Sequence, residues 1–200
     1  MAGLPLRRIG SALQRTQLTW PALLVFFAAS LPEPLQAWLA WERQAILAGE
    51  VWRLWSGHFV HYGAPHALSN GLSLLVLGIC LPHVTGRAIA RCLLLAPVLI
   101  SLALLALAPQ LATYRGASGL VALLLTMLAV SALRTVRQRL WGGLLLAALA
   151  VKLTLEALGL AIGTSLPDTV AVVWQAHAAA ALLGLLWVVL TPGPWPEPKN

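Results

Sequence analysis

Two hundred residues normally make one soluble domain, but 60% of them are hydrophobic, 10% are charged, and the mean hydropathy is +0.84. Soluble globular chains sit near about 45–50% apolar and about 25% charged. The formal charge of +7 comes from only 13 basic and 6 acidic residues, too few to wet a cytosolic enzyme or a DNA-binding domain, and two cysteines make no disulfide framework. The composition reads as an integral membrane protein.

Six apolar stretches approach the ~20 residues needed to cross a bilayer. The first, Leu18–Leu31, follows a segment 1–17 that carries Arg7, Arg8 and Arg15, and it stops at the breaker Leu31-Pro32-Glu33-Pro34. No small-residue cleavage site follows it, so it is expected to stay as an anchor. The segment from about 35 to 62 interleaves Trp38, Trp41, Trp52 and Trp55 with Glu42, Arg43, Glu50 and Arg53. Tryptophan favours the membrane–water boundary, so this segment is predicted to be a loop of short amphipathic helices lying in the outer leaflet. The remaining stretches are Pro65–Leu81, Ile89–Ala108, Ala117–Leu133, Leu140–Leu160 and Val170–Leu190, followed by a Pro-rich tail over 192–200. Cys80 and Cys92 flank the loop between the second and third spans, a reducing location that predicts free thiols. The expected architecture is all-α, a polytopic six-helix membrane domain over 18–191 between cytoplasmic segments 1–17 and 192–200.

Orientation follows from the basic residues. With the N-terminus inside, Arg7, Arg8, Arg15, Arg87, Arg91, Arg134, Arg137, Arg139 and Lys199 are cytoplasmic, against Arg43, Arg53 and Arg115 outside. Positive residues concentrate on the cytoplasmic side of membrane proteins, which predicts both termini inside. The charge is thereby explained by topology, and no nucleic-acid partner is expected.

Polar residues inside spans are costly and need a reason. On this topology the second, fourth and sixth spans all run inward. His66 and Asn70 then lie in the first turns of the second, Ser118 about 8 Å down the fourth, and His177 about 10 Å down the sixth. Four polar side chains from three helices converge at one shallow outer level. Ser118 stands in Gly116-Ala117-Ser118-Gly119, where the glycines let the backbone bend and another helix approach. His177 lies in a run of small residues that includes Ala180 and Gly184, as a close helix seam in lipid requires. A seam through Gly119, Ala180 and Gly184 brings Ser118 and His177 within hydrogen-bond reach, a nucleophile with its general base. His66 and Asn70, one turn apart on one face, can donate to a developing oxyanion together with the Ser118 amide. Singly, these residues have plainer readings: a serine bonded to its own i−4 carbonyl, a histidine joining two helices, a packing seam. Their common depth is what favours chemistry.

The same residues carry a resemblance. Gly-Glu-Val-Trp-Arg-Leu at Gly49–Leu54, the HxxxN spacing of His66 and Asn70, the GxSG of Gly116–Gly119, and Ala176-His177 with Gly184 appear in order. From about Gly49 to Leu190 the chain resembles the rhomboid family of intramembrane serine proteases. The resemblance implies a Ser118–His177 dyad that hydrolyses peptide bonds in or beside transmembrane segments, without cofactor, with His66 and Asn70 binding the oxyanion. Two positions depart from the family pattern. Ala122 stands where an aromatic residue or histidine commonly packs on the catalytic imidazole, and Ala180 replaces a glycine. The compact chain, with Tyr114 just before the serine motif and Lys152 and Glu156 in the fifth span, looks like the bacterial rhombosortase branch. That branch is implied to cleave Gly-Gly-containing C-terminal anchors from exported proteins at the bacterial inner membrane, on the periplasmic side.

Lys152 and Glu156, four residues apart, read either as a mutually neutralising ion pair or as a recognition site in which Glu156 meets the basic end of a substrate anchor. No third acid is evident near His177, which leaves a dyad. His58, His61 and His66 give three imidazoles in nine residues on the outer side, a weak case for a metal-binding membrane protein because no ligand set is completed. The other alternative is a non-catalytic membrane adaptor of the same fold. The expected partners are membrane-anchored protein substrates and the lipid bilayer itself.

Overall fold

The computed structural model describes residues 19–81, 87–134, 136–160, 165–167 and 169–191. The predicted cytoplasmic segments 1–17 and 192–200, with Arg7, Arg8, Arg15 and Lys199, lie outside the described residues.

The described chain is mostly helical. In order the elements are α1 (Trp20–Ala29), α2 (Glu33–Leu39), β1 (Trp41–Glu42), α3 (Arg43–Leu47), α4 (Arg53–Ser56), α5 (Ala64–Cys80), α6 (Arg87–Leu107), β2 (Thr113–Tyr114), α7 (Ser118–Leu133), a 3₁₀ turn (Val136–Gln138), α8 (Arg139–Ala157) and α9 (Trp174–Leu190). Each of the six apolar stretches is a helix, its ends within four residues of those expected. Among the described residues one helix, Val136–Ala157, is by length and composition long and apolar enough to cross a membrane. Trp20–Ala29, Ala64–Cys80, Arg91–Leu107, Ser118–Leu133 and Trp174–Leu190 are apolar but only 10–17 residues long. Two of these helices begin at loop glycines: α5 starts directly after Gly63 at φ 114°, and α7 starts two residues after Gly116 at φ 133°.

The expected all-α architecture is corrected by one small ribbon. β1 and β2 pair antiparallel, Trp41 opposite Tyr114 and Glu42 opposite Thr113. Two residues per strand are too few to show a period of two in sequence. The ribbon ties the 35–62 segment to the chain just before Ser118. Arg43 reinforces the tie: its guanidinium donates to the carbonyls of Leu104, Leu105, Ala108 and Leu111, at 2.8–3.2 Å, closing the C-terminal end of α6 where helix carbonyls lack partners. Arg53 does the same for α2, donating to Ala37 O and Ala40 O at 3.1 and 2.7 Å while its Nε meets Glu50 at 2.6 Å.

The tryptophans of this segment divide. Trp38 and Trp52 are exposed, with ring centroids 5.1 Å apart. Trp41 is completely buried, because β1 turns it into the core. Close packing there is set by Gly57: a Cβ at that position would stand 2.5 Å from Trp41 N.

The core centres on α7, apolar on every side, with Leu120, Leu123, Leu124 and Met127 fully buried. α9 lies closest to it at Gly184, where a Cβ would meet Leu123 O at 2.6 Å. α8 also packs chiefly on α7 and little on α9. Its closest approach is at Gly142, whose Cβ would meet Ala129 O at 2.6 Å and Leu133 N at 2.8 Å. Beyond that contact α8 is a flank: 17% of its apolar window is buried.

Candidate active site

Ser118 is the first residue of α7, and three hydrogen bonds fix the loop before it. Gly116 N–H donates to Gly57 O at 3.1 Å. The Tyr114 hydroxyl donates to Gly116 O at 2.6 Å. Ala117 N–H donates to His61 Nε2 at 3.3 Å, and that choice leaves the His61 proton on Nδ1, where it reaches Phe59 O at 3.0 Å. Gly116 itself sits at φ 133°, a left-handed conformation that favours glycine. Burial pushes the His61 imidazole down to about 3, helped by the neighbouring His66. Burial likewise lowers His58 to about 4 and pushes the Tyr114 phenol well above its usual value. His58 is tied to the third apolar helix: its Nε2 shares a 3.0 Å bond with Ser101 Oγ, whose own proton goes to Leu54 O at 2.7 Å.

At the mouth of α7, Ser118 Oγ lies 2.7 Å from His177 Nε2. The other ring nitrogen, Nδ1, lies 2.7 Å from Glu156 Oε2. The remaining carboxylate oxygen, Oε1, accepts from Lys152 Nζ. Two expectations are corrected here. An acid does stand beside His177, because the C-terminal end of α8 leans over α9 and turns Glu156 inward. Lys152 and Glu156 do form the expected i,i+4 pair, but Glu156 is 3% exposed with both oxygens engaged, so it does not stand free to meet a substrate. Lys152 is 51% exposed toward the same cavity. Ala122 lines that cavity, and the group bonded to His177 Nδ1 is Glu156.

His66 and Asn70 project from α5 into the same space, both buried. A Cβ on Gly116 would meet His66 Cε1 at 2.8 Å and Nε2 at 3.0 Å, with Asn70 Nδ2 at 3.7 Å, so the serine loop rests directly on these two side chains. Tyr62 stacks on the His66 ring, and Arg115 lies over Tyr62 while donating to Glu33 at 2.8 Å. Among the described residues Asn70 Nδ2 and His66 Nδ1 are buried with no hydrogen-bond partner. Ser118, His177, His66, Asn70, Glu156 and Lys152 line one cavity of about 740 Å³.

The three residues of the expected helix seam differ in how closely they are packed. Ala180 is fully buried and Gly184 makes the tight contact described above. Gly119 lies in the seam but is not what closes it. A Cβ there would have ordinary contacts, 3.5 Å to Ala176 O and to Ile100 Cδ1, because the α7–α9 approach tightens further down, at Gly184. His58, His61 and His66 do not converge: His58 faces Ser101, whereas His61 and His66 meet edge to face at 4.8 Å. Among the described residues no group of three or more His, Cys, Asp or Glu is placed to hold a metal ion.

The arrangement has the parts of a nucleophilic site: a hydroxyl on a base, a base on a carboxylate, and an amide and an imidazole side chain lining the same cavity. The first amides of α7 add to these, because a helix leaves its leading N–H groups without internal partners. Motif and depth point to Ser118, His177, His66 and Asn70. His61 and Tyr114, which hold the serine loop, escape sequence reading because their partners are backbone atoms. Comparison with family models gives a match to the rhomboid domain over residues 48–193. Comparison with curated proteins and with solved structures gives no match.

Proposed function

Because the chain belongs to the rhomboid family, integral-membrane serine proteases that act on membrane-protein substrates within the bilayer, we propose that it is an active endopeptidase with Ser118 as nucleophile and His177 as general base. One observation carries this reading: the 2.7 Å contact between Ser118 Oγ and His177 Nε2 at the wall of a cavity that Asn70 and His66 also line.

In the proposed reaction His177 Nε2 takes the Ser118 proton as Oγ bonds to the scissile carbonyl carbon. The carbonyl π electrons move to oxygen, and the resulting oxyanion is met by the Ser118 amide, Asn70 Nδ2 and His66. Collapse of the tetrahedral intermediate breaks the C–N bond, and His177 returns its proton to the departing amine. Water then attacks the acyl-enzyme by the same route and frees Ser118. No cofactor takes part. Six spans with both termini in the cytoplasm, in a bacterial inner membrane, put the cavity on the periplasmic side. The substrates fit the rhombosortase branch: exported proteins held by a C-terminal anchor with a Gly-Gly segment before it. Its small residues unwind easily.

Reconstituted full-length protein is expected to cleave a Gly-Gly-anchor reporter, and Ser118→Ala and His177→Ala are each expected to lower the rate by about 10⁴-fold or more. Undiminished cleavage by Ser118→Ala would overturn the proposal. Mass spectrometry of the released C-terminus reads the fate of the acyl-enzyme: a free carboxylate is expected, and a new amide would mean transfer to an amine instead.

A further inference from the structure

We infer that Glu156 is a positioning residue that holds the His177 imidazole in its reactive tautomer, and that Lys152 holds Glu156 in place to do so. The inference rests on the Ser118–His177 reading above and extends it from two residues to a charge-ordered row of four.

For His177 to accept the serine proton, Nε2 must carry a lone pair, so the one proton of the neutral ring belongs on Nδ1. A buried N–H needs an acceptor, and Glu156 Oε2 at 2.7 Å is the one present. A carboxylate serves here better than a carbonyl, because its charge opposes the positive charge that His177 acquires when Oγ attacks. A lone carboxylate at this depth would be costly. Lys152, one helical turn earlier on the same face, supplies the opposite charge through Oε1. Before attack the row carries Lys152 positive and Glu156 negative. After attack it carries a second positive charge on His177 and a negative one on the oxyanion. The site is neutral in both states, so the reaction moves charge within the cavity without adding any.

The pair also explains how the chain manages with Ala122. A ring stacked on the imidazole restrains it by contact, whereas Glu156 restrains it by a directional bond from a neighbouring helix. A purely structural reading, in which the same bond only joins α8 to α9, makes different predictions.

The carboxylate offers two acceptor oxygens to two donors, Lys152 Nζ and His177 Nδ1–H. Glutamine offers only one. Glu156→Gln therefore leaves one donor facing an amide NH₂, and its kcat in proteoliposomes is expected to fall by about 10³-fold with KM within about threefold. Removing the competing donor should give part of this back. The double variant Lys152→Met/Glu156→Gln frees the glutamine carbonyl for His177, and its kcat is expected to exceed that of Glu156→Gln by about tenfold. A structural tie predicts the reverse, since the double variant has lost more of it. Glu156→Gln with kcat within about threefold of wild type, while Ser118→Ala is inactive, would refute the role of Glu156. Cleavage that survives Ser118→Ala would refute the underlying reading instead. A second measurement stands even if Glu156→Gln fails to fold. The full-length protein labelled with ¹⁵N-histidine should show a strongly deshielded Nδ1–H proton for His177, retained in Ser118→Ala, and its absence from both would overturn the inference.

Discussion

Gly116 meets two separate demands that no other residue satisfies together. Its φ of 133° excludes a side chain by backbone strain, and the place a Cβ would take is already occupied by the His66 ring. Gly116→Ala is expected to cost about 1–3 kcal/mol from the strained conformation and to abolish cleavage by displacing His66, read by thermal unfolding in detergent alongside activity. The other glycines of the site rank differently. Gly184→Ala should lower the melting temperature, because Leu123 O would stand 2.6 Å from the new carbon, whereas Gly119→Ala should not, its nearest contacts being 3.5 Å away. His58 and His61 supply a prediction in pH. Both are held neutral by burial, at about 4 and about 3 against an ordinary 6.5, so the unfolded chain binds more protons than the folded one below pH 6.5. Stability should therefore be level above that pH and decline as pH falls from 6.5 through 4 toward 3. His58→Gln is expected to flatten the part of the decline between 6.5 and 4 in thermal scans; an unchanged slope would show that another group sets it.

Elements differ in how far they can be read from sequence, and the reason is range. The six apolar helices and the i,i+4 relations of His66 with Asn70 and of Lys152 with Glu156 are local, so periodicity finds them. The placement of Ser118 beside His177 is not local, yet it is legible, because matched depth and small residues on both helices limit how the two can meet. Glu156 was hidden for a physical reason: its partner four residues back already neutralises it, so nothing in the sequence asks for a second partner 21 residues onward. The β1–β2 ribbon and the burial of Trp41 were hidden by shortness, since four paired residues hold no periodic signal. Arg43 is the side chain that makes this ribbon stiff, through carbonyls at the end of α6. Arg43→Ala leaves those buried carbonyls without their donor, at a cost of about 1–3 kcal/mol. Thermal unfolding in detergent should show that loss, with cleavage falling as the serine loop loosens.

At the scale of the whole molecule, orientation is the property on which the proposed substrates depend. In a variant with Cys80 and Cys92 replaced by serine, a cysteine at exposed Thr113 is expected to react with an impermeant maleimide in intact cells. One at exposed Val136 is expected to react only after permeabilisation. The reverse pattern would place the cavity on the cytoplasmic side. The flank formed by α8 has a further consequence. Two of its attachments to the bundle are of unlike kind: near its start the steric fit of Gly142 against α7, near its end the hydrogen bond that His177 Nδ1 donates to Glu156. A rod pinned at one end and hooked at the other pivots when the hook lets go. Any outward swing of that end draws the carboxylate off the imidazole before it opens a gap wide enough for a helix. On the proposed mechanism, any loosening of that end of α8 therefore disarms the serine at the same moment.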